Sequence, residues 1–290
     1  MPSTSPSTDL PGAWWPWATW AGEQPWALYA LGCVVCGVIA TALVRCQSAN
    51  DPAQAPSAPA RLAWGLAATW VTVLLAAWVV AAVGASVSGD PATPGPIGRW
   101  DQHLLDALAP SLSAPLLAVA ALVSHAGDPG WIAVVGLLVA TGLWRARHRA
   151  LAVAWVVALS GNALLTVTIK PWWARLRPAH PDGLTLVNGY SFPSGHASAS
   201  AVCYLWLAAL AAWLLPARWR WPAAWLCCGL AWTVAFSRVV LSVHYPSDVA
   251  AGLLVGATWA LASLVTVHHL LHWRRHRAQA THPPAWSAGT

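Results

Sequence analysis

Charge is what this 290-residue chain has least of. Asp, Glu, Lys and Arg together make up 8% of it, where soluble domains carry about 25%. Nine residues are acidic, and Lys170 is the single lysine among 15 basic residues. That shortage argues against a soluble enzyme, because there is too little charge to coat a globule of this size. Hydrophobic residues at 58% argue equally against an intrinsically disordered chain. Six cysteines, at 33, 36, 46, 203, 227 and 228, lie in or beside apolar runs, where free Cys behaves as a small hydrophobe. No disulfide framework is indicated, and Cys33 and Cys36 lack the βαβ surroundings of a redox pair. The formal net charge of +6 comes as small basic groups between apolar runs and forms no stripe, so no nucleic-acid partner is expected. No basic residue precedes the first apolar run and no cleavage site is evident, so a cleaved signal peptide is not expected.

What the chain has instead is long apolar runs and 23 tryptophans. A hydrocarbon core about 30 Å thick needs roughly 20 apolar residues in a helix. Runs of that kind occupy 26–44, 62–87, 151–169, 197–215, 223–240 and 249–271. A seventh stretch, 116–144, is interrupted by Gly127, Asp128, Pro129 and Gly130, a strong helix breaker; it counts as one net crossing with a short or re-entrant first part. Trp favours the headgroup boundary of a bilayer, in keeping with the same class. The expected fold is all-α, a polytopic transmembrane helix bundle.

The basic residues test that count. Arg45 and Arg61 flank one loop, Arg145, Arg147 and Arg149 another, Arg218 and Arg220 a third, and Arg274, Arg275 and Arg277 the tail. With seven crossings these ten share one side, which the positive-inside rule makes cytoplasmic. The N-terminus then lies outside and the C-terminus in the cytoplasm. The other five, Arg99, Lys170, Arg175, Arg177 and Arg238, fall on the outer side against the rule, and four of them lie in or beside polar motifs.

The expected organisation is a Trp/Pro-rich outer tail (1–25), a first crossing (26–45), a cytoplasmic linker (46–61), a membrane domain (62–271) and a cytoplasmic tail (272–290). Trp100 to Leu108 reads as a short amphipathic helix on the outer surface.

Three polar clusters interrupt the apolar chain, each at an expected helix end on the outer face. They are Lys170 to Pro178, Phe192 to His196, and Ser237 to Asp248. Ionisable groups at membrane depth are costly and mark functional sites. Lys170, Arg177 and Arg238, with Ser194 and Gly195 at a helix N-terminus, make an oxyanion site. A phosphate-like anion is its natural occupant. His244 and Asp248, four residues apart, would share a face at a helix start. A carboxylate on one imidazole nitrogen leaves the other nucleophilic, and His196 is free to donate a proton to a leaving oxygen.

The pattern Lys-x6-Arg-Pro, Pro-Ser-Gly-His, Ser-Arg-x5-His-x3-Asp resembles the three-part signature of the type 2 phosphatidic acid phosphatase and vanadium haloperoxidase superfamily, with every position filled. The resemblance covers roughly 62–271 and implies a six-helix core, leaving the 26–44 helix as an extra N-terminal crossing. It implies an integral membrane lipid phosphatase acting on a lipid phosphate monoester or polyprenyl diphosphate at the outer face. His244 would form a phosphohistidine, oriented by Asp248. His196 would protonate the leaving group and then activate water. Lys170, Arg177, Arg238, Ser194 and Gly195 would bind the phosphoryl oxygens. Three fixed cations then do what Mg²⁺ does elsewhere, so neither metal nor cofactor is implied. The expected partners are the lipid phosphate and membrane lipids.

Other functions consistent with the motifs are a non-catalytic lipid-phosphate binder or transporter and, least in keeping with a membrane chain, a vanadate-dependent haloperoxidase. Ser194 also suits a plain helix N-cap. Arg175, Asp182 and Tyr190 are further substrate-contact candidates. Gly252 and Gly256 read as a small-residue packing face. His268, His269, His272 and His276 read as part of a solvated tail.

Overall fold

The computed structural model describes residues 15–49, 59–88, 93–178 and 189–281. Most of the expected outer tail, the middle of the linker, Asp182 and the last nine residues lie outside the described residues. Among these residues ten α-helices follow one another: α1 (Trp15–Glu23), α2 (Pro25–Ala49), α3 (Pro59–Val87), α4 (Pro96–Leu108), α5 (Ala114–Ser124), α6 (Pro129–Arg145), α7 (Arg149–Trp173), α8 (Gly195–Leu214), α9 (Ala217–Val240) and α10 (Pro246–Thr281). Among the described residues there is no strand.

Among the described residues five helical stretches are long and apolar enough to cross a bilayer: Leu66–Val87, Arg149–Trp173, Gly195–Leu214, Ala217–Val240 and Pro246–Leu271. A sixth candidate passage is α5 with its 3₁₀ turn plus α6, bent by 47°. Its break falls where Gly127 to Gly130 predicts it, because Pro129 has no amide to continue the preceding helix. Trp70, Leu74, Trp78, Leu137 and Leu164 stand exposed on the outside of these helices, the surface a bilayer covers.

Helix α8 is the hub, packed against α9, α10, α7, α2 and α6. Its first turns are almost all Gly, Ala and Ser, which lets neighbouring backbones approach closely. Helix α10 exploits this with its own glycines. A Cβ at Gly252 would lie 2.4 Å from the Ser194 carbonyl oxygen, and one at Gly256 would lie 2.4 Å from that of Ser198. The glycine pair is therefore a packing face, and it seats α10 against the start of α8.

Tryptophan is not confined to the membrane boundary. Trp155 and Trp206 are fully buried in the main apolar cluster. Their indole N–H groups donate to the Gly136 carbonyl and to Ser263 Oγ, both at 2.8 Å, and Trp259 donates to the Ala158 carbonyl at 2.8 Å. A buried indole needs an acceptor, so these residues tie helix to helix.

Helix α4 is amphipathic as expected, burying Leu104, Leu105 and Leu108. Residues 15–23, read as part of a tail, form a helix docked on α4. Ala21 joins the α4 leucines in one cluster, and Gly22 lies so close to α4 that a Cβ would meet Ala107. Helix α2 runs antiparallel to α9, with Tyr29 bonded to Thr233 at 2.8 Å and Gly37 under the Trp225 ring. Its described apolar stretch, Ala27–Ala42, is shorter than the six passages.

Candidate active site

Four helix ends meet at one end of the bundle. Helix α7 ends beside Lys170, α8 begins at Gly195, α9 ends beside Arg238 and α10 begins just after His244. The break before α6 adds Ser124 and Asp128. The sequence folds this way locally because Ser194 is the N-cap of α8, its hydroxyl accepting from the Ala197 amide at 3.5 Å, while its own amide donates to the Asp248 carbonyl at 2.9 Å. The first and last turns of helices leave free amides and carbonyls, and such ends are where this chain keeps its polar side chains.

His244 is buried, with 1% of its surface exposed. It does not lie on a helix as its spacing to Asp248 suggests. It occupies the turn between α9 and α10, two residues before Pro246. Its Nδ1 stands 3.5 Å from Asp248 Oδ2, long for a hydrogen bond. The Ser191 hydroxyl fills the interval, bonding the same carboxylate oxygen and lying 3.2 Å from His244 Nδ1. On the other side, Arg177 reaches His244 Nε2 at 3.0 Å. A guanidinium only donates, so Nε2 carries the lone pair and Nδ1 the proton. Burial pushes the His244 imidazole down to about 3, outweighing the opposing pull of Asp248. The ring is a neutral imidazole whose bare nitrogen points towards the cations.

Asp248 is fully buried and held from several directions. Its Oδ2 accepts from the Tyr245 amide at 2.9 Å as well as from Ser191, and its Oδ1 accepts from Arg175 at 2.6 Å. Arg175, a substrate-contact candidate by sequence, faces inward. Its other guanidinium nitrogen donates to Asp101 Oδ2 at 2.7 Å, and the guanidinium lies 4.0 Å over the Tyr245 ring. Asp101, on α4, accepts from the Ser247 amide at 2.9 Å and from the Ser247 hydroxyl. Burial pushes the Asp101 carboxyl up, with Arg175 pulling against it. The chain Asp101–Arg175–Asp248 thus ties α4 to the carboxylate beside His244.

The three cations of the motifs lie near one another, with Arg177 and Arg238 beside His244. Lys170 Nζ donates to the Tyr190 carbonyl at 2.7 Å. Arg177 donates to the carbonyls of Gly189 at 3.1 Å and Val243 at 2.8 Å. Tyr190 therefore contributes its backbone oxygen to the cations. Arg238 is anchored through Ser124 Oγ, and its Nε is the one buried side-chain nitrogen or oxygen among the described residues without a hydrogen-bond partner. A buried guanidinium N–H left open is costly and marks where an anion's oxygen fits. The amides of Gly195 and His196 stand at the positive end of α8. His196 Nε2 lies 2.7 Å from Asp128 Oδ1. All eight residues singled out by sequence, His244, Asp248, His196, Lys170, Arg177, Arg238, Ser194 and Gly195, gather at this end.

Lys170, Gly195 and His196 also line a cavity of about 570 Å³ between α6, α7 and α8, whose walls include Ile132, Leu137, Leu159 and Val167. The site can bind an anion in its cationic corner, attack it from Nε2 of a neutral imidazole, and receive an apolar group alongside. Among the described residues no cluster of three or more His, Cys, Asp or Glu is placed to hold a metal ion.

Sequence reasoning missed Ser191, Asp101 and Asp128. Asp101 carried a signal: it lies on the apolar stripe of α4 with Leu104, Leu105 and Leu108, where a carboxylate needs a buried partner. Asp128 is the single carboxylate between Asp106 and Asp182. Ser191 carried no signal beyond lying three residues before Ser194.

Residues 149–272 match the family model described as the PAP2 superfamily. The chain is 34% identical over 151 residues to the decaprenylphosphoryl-5-phosphoribose phosphatase of Mycobacterium tuberculosis, covering 49% of this chain and 76% of that protein. It is 29% identical over 177 residues to the lipid A 1-phosphatase of Rhizobium johnstonii, covering 52% and 68%. Its fold is similar to the crystal structure of a transmembrane PAP2-type phosphatidylglycerolphosphate phosphatase from Bacillus subtilis, with a TM-score of 0.57 and 22% identity over 67% of this chain and 93% of that one. Three motifs that fold into one anion corner at the end of a helical membrane bundle, and relatives that are phosphatases, lead to one assignment: the chain belongs to the PAP2 superfamily and is a membrane-embedded phosphatase.

Proposed function

We propose that the protein hydrolyses a lipid phosphate monoester or a polyprenyl diphosphate at the outer face of the membrane, through a phosphohistidine on His244. The observation that carries this reading is the pairing of a cationic corner, with the Arg238 Nε open, and an apolar cavity at its side. A phosphate fills the first and a lipid chain the second. The relatives named above act on lipid-linked phosphates, which fits this chemistry. By the positive-inside rule the ten basic residues at the opposite helix ends support an outer-face site and a cytoplasmic C-terminus. Helix α2, antiparallel to α9, serves as the extra N-terminal crossing before the 62–271 domain.

In this mechanism Arg238 Nε, Lys170, the Gly195 amide and the α8 terminus take the phosphoryl oxygens, with Ser194 capping that terminus. Arg177 turns from His244 Nε2 to the phosphate as the nucleophile attacks. Asp248, through Ser191 and directly, stabilises the positive charge that develops on His244. His196 protonates the leaving oxygen, and afterwards takes a proton from the water that splits the P–N bond. Fixed cations stabilise the transferred group throughout.

The test is phosphate release by the detergent-purified protein from a panel of lipid phosphates, compared by kcat/KM. The proposal expects turnover with a long-chain substrate, vanadate inhibition, and loss of at least about 100-fold in His244→Ala. Stoichiometric binding without turnover would make the protein a binder; halide oxidation with vanadate and peroxide, in place of phosphate release, would make it a haloperoxidase.

A further inference from the structure

We propose that Asp128 is the positioning residue of His196, fixing one tautomer so that the same ring nitrogen serves as acid and then as base; the inference rests on the acid–base reading of His196. Asp128 stands at the N-cap position of α6, yet its side chain caps no amide there. Its two carboxylate oxygens go to two imidazoles instead: Oδ1 to His196 Nε2 and Oδ2 to His125 Nδ1, each at 2.7 Å. The turn that carries it is pressed against the ring, for a Cβ at Gly127 would lie 3.2 Å from His196 Cδ2 and 2.6 Å from Val234. His196 Nδ1 takes no hydrogen bond among the described residues and is not among the buried unpartnered atoms. It is the ring nitrogen left for substrate, on a side chain that lines the cavity.

A carboxylate accepts only, so Nε2 holds its proton in both charge states of the ring. In the first half-reaction the imidazolium gives its Nδ1 proton to the leaving oxygen as the P–O bond breaks and that oxygen keeps the electron pair. The ring left behind is neutral, protonated at Nε2, with a lone pair at Nδ1. In the second half-reaction that lone pair takes a proton from water while the water oxygen bonds to phosphorus; the P–N bond breaks and its electrons return to His244. The imidazolium is restored without a ring flip. Asp128 also pairs with the imidazolium and holds its Nδ1–H towards the leaving oxygen, so its loss weakens the acid step; and without it no side chain among the described residues selects between the two neutral tautomers, of which the one protonated at Nδ1 cannot act as base.

The experiment compares Asp128→Asn and wild type on two monoesters: an alkyl lipid phosphate, whose alkoxide must be protonated, and p-nitrophenyl phosphate, whose leaving group needs no proton. The readout is kcat/KM, which covers events through leaving-group departure. Asp128→Asn is expected to lower it about 10- to 100-fold on the alkyl ester and by less than about threefold on the aryl ester, with vanadate affinity unchanged. On the aryl ester kcat itself falls, because the water step still needs the base. Equal losses of kcat/KM on both esters, or no loss on either, overturns the proposal. Should the Asn variant fail to fold, Asp128→Glu must show the same discrimination in weaker form, and its absence there also overturns it. His196→Ala, run alongside, separates the two ideas: discrimination present there and absent in the Asp128 variants removes Asp128 alone, whereas equal losses on both esters in His196→Ala remove the acid–base reading beneath it.

Discussion

Arg175→Met tests the buried charge chain behind the nucleophile. The guanidinium is 7% exposed and the carboxylates of Asp101 and Asp248 are fully buried. Arg175 lies 2.7 Å from one and 2.6 Å from the other, and no other cation bonds either carboxylate among the described residues. Removing one member of a buried ion pair costs about 3–5 kcal/mol, because the charge left behind is uncompensated. That is a large part of the 5–15 kcal/mol that stabilises a typical domain. Asp101, already pushed up by burial, takes up a proton once Arg175 is gone, so adding Asp101→Asn should recover part of the loss, with a coupling of about 1–3 kcal/mol. Arg175→Lys should not rescue fully, since a point charge cannot hold both carboxylates in the fork geometry. The assay is thermal unfolding in detergent followed by tryptophan fluorescence, with phosphate release measured below the variant's transition. Arg175→Met within about 1 kcal/mol of wild type, or a strictly additive double variant, would refute the reasoning.

Three further outcomes follow from the same geometry. Ser191→Ala removes the hydroxyl between His244 and Asp248; a hydrogen bond to a charged group contributes about 1.5–3 kcal/mol, so kcat should fall about 10- to 100-fold, and an unchanged kcat would show that the 3.5 Å direct contact suffices. Gly252→Ala places a methyl against the Ser194 carbonyl and should cost about 1–3 kcal/mol by overpacking while weakening vanadate binding at the α8 terminus; wild-type stability and affinity would contradict the close approach. His244, pushed down to about 3 by burial, binds fewer protons folded than unfolded, so the stability it contributes is full above its unfolded value near 6.5 and is lost as pH falls towards about 3. ¹⁵N-histidine NMR in micelles should find it neutral and protonated at Nδ1 down to about pH 4, with a titration near 6.5 the contrary result.

The helices and the first tier of the site were legible because each had a local cause. Runs of about 20 apolar residues announce crossings, Pro129 announces a break, and Lys170, Arg177 and Arg238 stand out in a chain with 15 basic residues. What escaped was set by tertiary contact. Ser191 is an ordinary serine until the turn carrying His244 closes on it, and Arg175 is one more arginine until α4 brings Asp101 to it. Trp155 and Trp206 look like boundary residues until neighbouring helices supply the Gly136 carbonyl and the Ser263 hydroxyl. Asp128 was absorbed into the helix-breaking Gly127 to Gly130 run, where its backbone role concealed its side chain.

The central claim is that His244 carries the phosphoryl group between the two half-reactions. Brief exposure of purified protein to a ³²P-labelled lipid phosphate, with quenching in alkali, should leave label on the wild-type chain that is stable to base, released by acid and mapped to the peptide containing His244. Wild-type phosphate release by His244→Ala, or label recovered on another residue, would contradict it.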